Sequence, residues 1–199
     1  MKKQICTALA ISGLMAGSYL AYGAIGMGAP ITDTAVKMKN VDGLMVTIGD
    51  LKGEHGTLVI FTCNQCPFVK GWQDTMVEIG NTYQAKGFGV IFINSNDPSV
   101  SGDRFEEMQE LAKMEGYEFP YVVDATSEVA RNFGAKKTPD VFLFNPANKL
   151  AYQGAVGEGR RTPKKGGEPY LKNALDALLA GDPVEKAYAP AVGCSIKFR

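Results

Sequence analysis

Cys63 and Cys66 stand in a C-x-x-C spacing, directly after the apolar run Leu58–Phe61 and directly before Pro67. The run is rich in β-branched and aromatic residues and has room for one buried strand. From Phe68 to Lys86, apolar residues recur at helical intervals: Phe68, Trp72, Met76, Ile79 and Tyr83. Strand, cysteine pair, helix is the arrangement thiol redox chemistry needs. A helix N-terminus carries a partial positive charge and unpaired N–H groups, which favour a thiolate over a thiol. Two residues between the cysteines let the second sulfur reach the first and close a disulfide. Pro67 fits a first helical turn, where a missing N–H costs little.

Other chemistries use the same spacing. C-x-x-C is half of a zinc site, but the remaining candidate ligands, Cys6, Cys194 and His55, form no second close pair. Haem attachment needs a histidine after the second cysteine, where this chain has Pro67. A purely structural cysteine pair fits poorly with a strand-to-helix junction. Redox work is the reading that uses every residue of the motif.

The elements that must position this pair follow from the pattern around it. Val36–Ile48 alternates weakly about the turn dipeptide Asp42-Gly43, which predicts a small N-terminal hairpin. After the helix, Gly87 suits a C-terminal cap, and Gly89–Asn94 reads as a second buried strand. Ser95–Gly102 is a polar turn region, and Arg104–Glu115 an amphipathic helix with Phe105, Met108, Leu111 and Ala112 inward. Phe119–Asp124 suggests a short strand, and Ser127–Phe133 a brief helix closed by Gly134. Val141–Phe144 and Leu150–Gly154, joined by the turn Asn145–Asn148, form a hairpin. Gly157–Gly167 is basic and glycine-rich and reads as a mobile loop, and Tyr170–Leu179 as a closing helix. This order implies an α/β domain, a mixed central sheet with helices on both faces.

The chain begins differently. Met1-Lys2-Lys3 is a basic start, and Ile5–Ala29 carries no charge. Small residues crowd its end, with Ala21-Tyr22-Gly23 or Ala24-Ile25-Gly26 as a cleavage site, so residues 1–29 read as a secretory signal peptide. The run is long enough to span a bilayer, which leaves an uncleaved anchor as the alternative. Either way the remainder is expected to be periplasmic or secreted. Removing residues 1–29 leaves about 170 of the 199 residues, one ordinary domain. Equal counts of acidic and basic residues, 21 each, and no basic stripe leave nucleic-acid binding without support. The part beyond residue 29 holds Cys63, Cys66 and Cys194, fewer than a disulfide-stapled scaffold usually shows, and an odd number.

Taken together, the strand–CxxC–helix unit, a later Thr138-Pro139 opening a hairpin, and a closing helix resemble the thioredoxin superfamily. The finer pattern is similar to its peroxiredoxin-like (redoxin) branch. It rests on FTCNQCPFVK at Phe61–Lys70, INSND at Ile93–Asp97, GYEFPYVVD at Gly116–Asp124 and TPDVFLF at Thr138–Phe144. Gly193–Lys197 also resembles a Gly-Cys-x-Ile-Lys ending of some members. The resemblance implies a thioredoxin-like fold over residues 36–187, with an N-terminal hairpin extension and a tail at 188–199. It implies Cys63 as the exposed nucleophile and Cys66 as the buried resolving cysteine. It also implies Pro139 as a cis-proline against the pair, with Thr138 presenting its backbone to an extended substrate.

The chain departs from those relatives at defined places. Peroxiredoxins place a hydroxyl residue three positions before their cysteine, where this chain has Ile60, and a proline ahead of it, which is absent here. Asn64-Gln65 replaces thioredoxin's Gly-Pro, and Leu58–Thr62 offers no buried acid behind the pair. The expected activity is thiol–disulfide exchange, in which Cys63 attacks a substrate sulfur and Cys66 displaces it. The alternatives are a thiol peroxidase using Cys63 and a copper-handling thioredoxin-fold protein. Copper members space their cysteines C-x-x-x-C and add a later histidine, and no histidine follows His55 here. No cofactor and no metal are expected. The expected partners are protein thiols or disulfides, or a peroxide, with an electron-donor or acceptor protein. A membrane enters only if the leader stays uncleaved.

Cys194 is the odd thiol. It reads either as a free cysteine packed by Ile196 and Phe198, or as an auxiliary thiol on a tail that returns to the active-site face. Reach allows the second, since Gly181 to Cys194 spans up to roughly 45 Å extended against a radius of gyration near 15 Å, also approximate.

Overall fold

The computed structural model describes residues 25–100 and 102–199. Residues 1–24, most of the 1–29 segment expected to be a signal peptide, lie outside the described residues, and Cys6 with them. Among the described residues no helix is long and apolar enough to cross a membrane.

The two continuous apolar runs become the centre of the sheet. β3 (Thr57–Thr62) and β4 (Gly89–Asn94) are buried along their whole lengths and pair in parallel, as strands covered on both faces do. Around them lie β1 (Met38–Asn40), β2 (Met45–Val46), β5 (Tyr121–Val123), β7 (Asp140–Phe144), β8 (Leu150–Gly154) and β9 (Tyr188–Ala189). The order across the sheet is β2-β1-β5-β4-β3-β7-β8-β9. β7 runs antiparallel to both β3 and β8, so the sheet is mixed. β6 (Lys137–Thr138) lies outside it and pairs antiparallel with β10 (Cys194–Ser195).

Strand alternation sorts the core into two layers. Leu58 and Ile60 of β3 face α1 (Pro67–Ala85), α2 (Phe105–Glu115) and α4 (Tyr170–Ala180), through Trp72, Met76, Met108, Leu171 and Leu175. Val59 and Phe61 face α3 (Glu128–Phe133) through Val129 and Phe133. There Phe61, Phe133 and Phe142 pack edge-to-face, with centroids 5.3, 5.3 and 5.6 Å apart, the arrangement ring quadrupoles favour.

Three stretches differ from the sequence-based expectation. Gly157–Gly167 is not a free loop but lies on α1: the Trp72 indole N–H donates to the Arg160 carbonyl at 3.2 Å, and Glu158 pairs with Lys164. Gly71 allows this, because a Cβ there would stand 1.8 Å from the Arg161 carbonyl oxygen. The tail is not separate from the domain: β9 extends the sheet beside β8, and Ile196 is buried in the Phe61–Phe133 layer. The folded body also begins before residue 36. Ile25 is buried against Phe133, its N–H reaching the Phe133 carbonyl at 3.3 Å, and the Gly28 N–H bonds Leu150 at 2.9 Å.

Candidate active site

β3 delivers Cys63 at its C-terminal end, and Cys66 is the residue that caps α1, with Pro67 in the first helical turn. The Lys70 N–H already bonds the Cys66 carbonyl at 2.9 Å, so the helix starts at the second cysteine. Thr138-Pro139 is cis, and Thr138 lies against both sulfurs. Its hydroxyl is 3.3 Å from Cys63 Sγ, and its carbonyl accepts the Cys66 thiol at 3.2 Å. The structure thus brings together Cys63, Cys66, Thr138 and Pro139. It also brings Cys194, whose backbone pairs with Thr138 and whose thiol is electrostatically linked to that of Cys66. All three cysteines are free thiols in this structure.

Cys63 is not the exposed residue the resemblance implies: it is 3% accessible and Cys66 4%. The cover comes from two directions. Thr138, with β10 paired to it, closes one side. The turn before α2 closes another, where a Cβ at Gly102 would stand 2.1 Å from the Gln65 side chain.

That turn carries a residue the sequence reading passed over. Asp103, 4% accessible, accepts the Asn64 N–H at 2.7 Å, the Asn94 amide at 3.1 Å and the Asn96 amide at 2.9 Å. The buried Tyr121 hydroxyl donates to the Asn64 side chain at 2.8 Å. The C-x-x-C loop is therefore held from inside the protein by a polar cluster built at the end of β4. The signal was the polar INSND segment closing an apolar strand, where a plain surface turn has no need of two asparagines around a serine. A second buried acid, Asp140, directly follows Pro139 and pairs across to Phe61. No acid stands in β3, but acids enter the neighbourhood from a turn and from β7.

The electrostatics of the pair are those of a shared proton. Interaction between the two thiols makes the first proton easier to lose and the second harder. Cys63 has the Thr138 hydroxyl and the Cys66 N–H on its side, while burial and the Asp103 charge oppose its ionisation. Cys66 has the Val69 N–H and the Cys194 thiol. Burial pushes the Cys194 thiol up to about 11, with Lys197 and Arg161 pulling the other way. Among the described residues, no group of three or more His, Cys, Asp or Glu is arranged to hold a metal ion.

A strand-to-helix dithiol on this mixed sheet is the arrangement of a thioredoxin-like fold. The AhpC/TSA family matches residues 27–153, and the chain belongs to that family. An uncharacterized conserved protein of Geobacillus kaustophilus shares 37% identity, covering 89% of this chain and 93% of that one, with a TM-score of 0.79. A thioredoxin-like protein solved in its oxidized form superposes with a TM-score of 0.60 at 20% identity, over 78% of this chain and 97% of that one, a likeness of fold. Among curated proteins, the thiol-disulfide oxidoreductase ResA of Halalkalibacterium halodurans is 24% identical over 113 residues. That match spans 57% of this chain and 60% of the relative's length.

Proposed function

We propose that this chain is an extracytoplasmic thiol–disulfide oxidoreductase acting on protein thiols or disulfides through Cys63 and Cys66. The observation that carries the reading is Thr138, whose carbonyl meets the Cys66 sulfur and whose hydroxyl meets the Cys63 sulfur. Cys66 points its thiol proton at a carbonyl, a group that a thiolate would repel, whereas Cys63 faces a hydroxyl that can donate. On this geometry Cys66 is the better holder of the pair's proton and Cys63 the better seat for the charge, against the burial and the Asp103 charge that oppose ionisation of Cys63. Thiolate Cys63 attacks a substrate disulfide, one substrate sulfur leaves, and Cys66 then attacks Cys63 to release the other. The ResA likeness agrees with this chemistry. Export is supported by the basic start and uncharged run to Ala29. Cleavage after Gly23 keeps Ile25 in its core position, and cleavage after Gly26 removes it.

Replacement of Cys66 by Ser is expected to trap mixed disulfides with partners, and replacement of Cys63 by Ser to trap none. Equal trapping by both variants overturns the assignment.

One observation favours a second reading. With Cys63 3% accessible, a small substrate such as a peroxide reaches it more easily than a protein does. A thiol peroxidase would oxidise Cys63 to a sulfenic acid, which Cys66 condenses to the disulfide with loss of water. Peroxide consumption with a defined reductant separates the two.

A further inference from the structure

β10 sits where a substrate would. In the reading above, an extended substrate pairs its backbone with the residue before Pro139. In this structure that edge is taken by the chain's own tail, antiparallel, with Cys194 directly opposite Thr138 and Ser195 opposite Lys137. The fit is close. A Cβ at Gly193 would stand 2.1 Å from the Thr138 carbonyl oxygen, so only glycine lets the tail come this near. Beyond Cys194 the strand is fastened at several points. The Ile196 N–H bonds Lys136 at 3.1 Å, and the Ile196 side chain is buried. The Lys197 N–H bonds the Asn96 side chain at 2.7 Å, and the Lys197 carbonyl accepts the Asp97 N–H at 2.7 Å. Asn96 is itself held by Asp103, the carboxylate that fixes Asn64. Tail and C-x-x-C loop hang from one buried side chain.

We propose that β10 is a built-in substrate strand and that Cys194 is its substrate thiol, a third redox cysteine that exchanges with the pair through Cys66. The proposal rests on the oxidoreductase reading, which supplies the Cys63–Cys66 disulfide. The Cys194 sulfur attacks Cys66 Sγ in that disulfide. The Cys66–Cys194 bond forms and the Cys63–Cys66 bond breaks. The electron pair leaves on Cys63, facing the Thr138 hydroxyl, and the proton shed by Cys194 passes to Cys63 or to solvent. One disulfide is exchanged for another, so no oxidant or reductant is consumed. The product ties the tail over the substrate edge and returns Cys63 as a free thiol. Lys197 and Arg161 are the cations near Cys194 that ease its deprotonation.

The test uses the Cys63→Ser protein treated with diamide and mapped by mass spectrometry without reduction. The expected product is an intramolecular Cys66–Cys194 linkage, formed at a rate independent of protein concentration. Cys66 and Cys194 both remaining alkylatable overturns the proposal, as does linkage only between molecules. Cys63→Ala repeats the experiment if the serine variant fails to fold. Gly193→Val, which cannot seat the strand, is expected to abolish the linkage in the Cys63→Ser background. An undiminished yield there denies the strand its role and also overturns the proposal. The oxidoreductase reading is judged separately, by equilibrating the unmutated protein with glutathione buffers. Failure of the Cys63–Cys66 disulfide to form there removes that reading, whatever Cys194 does.

Discussion

The Asp103 carboxylate accepts the backbone N–H of Asn64 at 2.7 Å, from a position 39 residues further along the chain. Asn64 is the first of the two residues between the cysteines, so this one bond fixes the loop that sets the distance between Cys63 and Cys66. The same carboxylate holds Asn94 and Asn96, and Asn96 holds the tail. The buried Asp103 carboxylate is accommodated because three donors meet it, each a backbone or amide N–H. Its charge also faces Cys63 and disfavours a second charge there.

Asp103→Asn is therefore expected to make Cys63 ionise at lower pH than in the parent, because the opposing charge is gone. The rate of iodoacetamide alkylation against pH reads the shift. Asp103→Ala additionally leaves buried donors without an acceptor and is expected to cost about 1–3 kcal/mol of stability, measured by urea unfolding. An unchanged alkylation profile in the Asn variant would deny Asp103 its electrostatic role.

Thr138→Val keeps the shape of the residue and removes the hydroxyl 3.3 Å from Cys63 Sγ. A hydrogen bond to a charged group contributes roughly 1.5–3 kcal/mol, which is about one to two pH units for a thiolate. Cys63 is expected to ionise that much higher, slowing its alkylation at neutral pH. The β-branched replacement should leave the unfolding midpoint nearly in place, and alkylation as fast as in the parent would show that Thr138 does not hold the charge.

Much of the fold around this candidate site was legible in the sequence, and the reason is local. The cysteine pair, Pro67 and the apolar runs announce strand, loop and helix through short-range patterns, and Gly87 and Gly134 do stand at helix ends with positive φ. What stayed hidden depends on pairing across the chain. β9 and β10 are two residues each and carry no periodicity of their own. Their existence depends on partners at β8 and β6. Asp103 reads as an ordinary helix-flanking acid until Asn64 and Asn96 are placed around it. Gly71 reads as a weak spot in a helix, and only the Arg161 carbonyl explains it.

Gly71→Val tests that explanation. The side chain would meet the Arg161 carbonyl oxygen, already 1.8 Å from an ideal Cβ, so the loop must move. Helix propensity alone would make the substitution neutral or slightly stabilising. The expected result is the opposite sign: loss of the Trp72–Arg160 contact, a change in Trp72 fluorescence, and faster trypsin cleavage at Arg160 and Arg161. An unaltered cleavage rate would mean the loop does not depend on this approach.

Asp140 makes stability depend on pH in an unusual direction for a carboxylate. It is 6% accessible, and among the described residues its Oδ2 is met only by the Lys136 N–H at 3.4 Å and its Oδ1 has no partner. Burial pushes its pKa up to about 7 from an ordinary 3.8. Below the ordinary value the carboxyl is neutral in both the folded and unfolded chain, so it contributes no pH dependence. Between the two values the unfolded chain has released this proton while the folded chain still holds it, and stability falls as pH rises. The slope is about 1.4 kcal/mol per pH unit, amounting to roughly 4 kcal/mol across the interval. Above the folded value both forms are charged and the loss is complete. Asp140→Asn removes the titration while keeping the shape. Urea midpoints measured at about pH 5 and about pH 8 are expected to fall more in the parent than in the variant, with the variant the more stable at the higher pH. Parallel midpoints would show that Asp140 is charged throughout, and so that an unseen donor reaches its Oδ1.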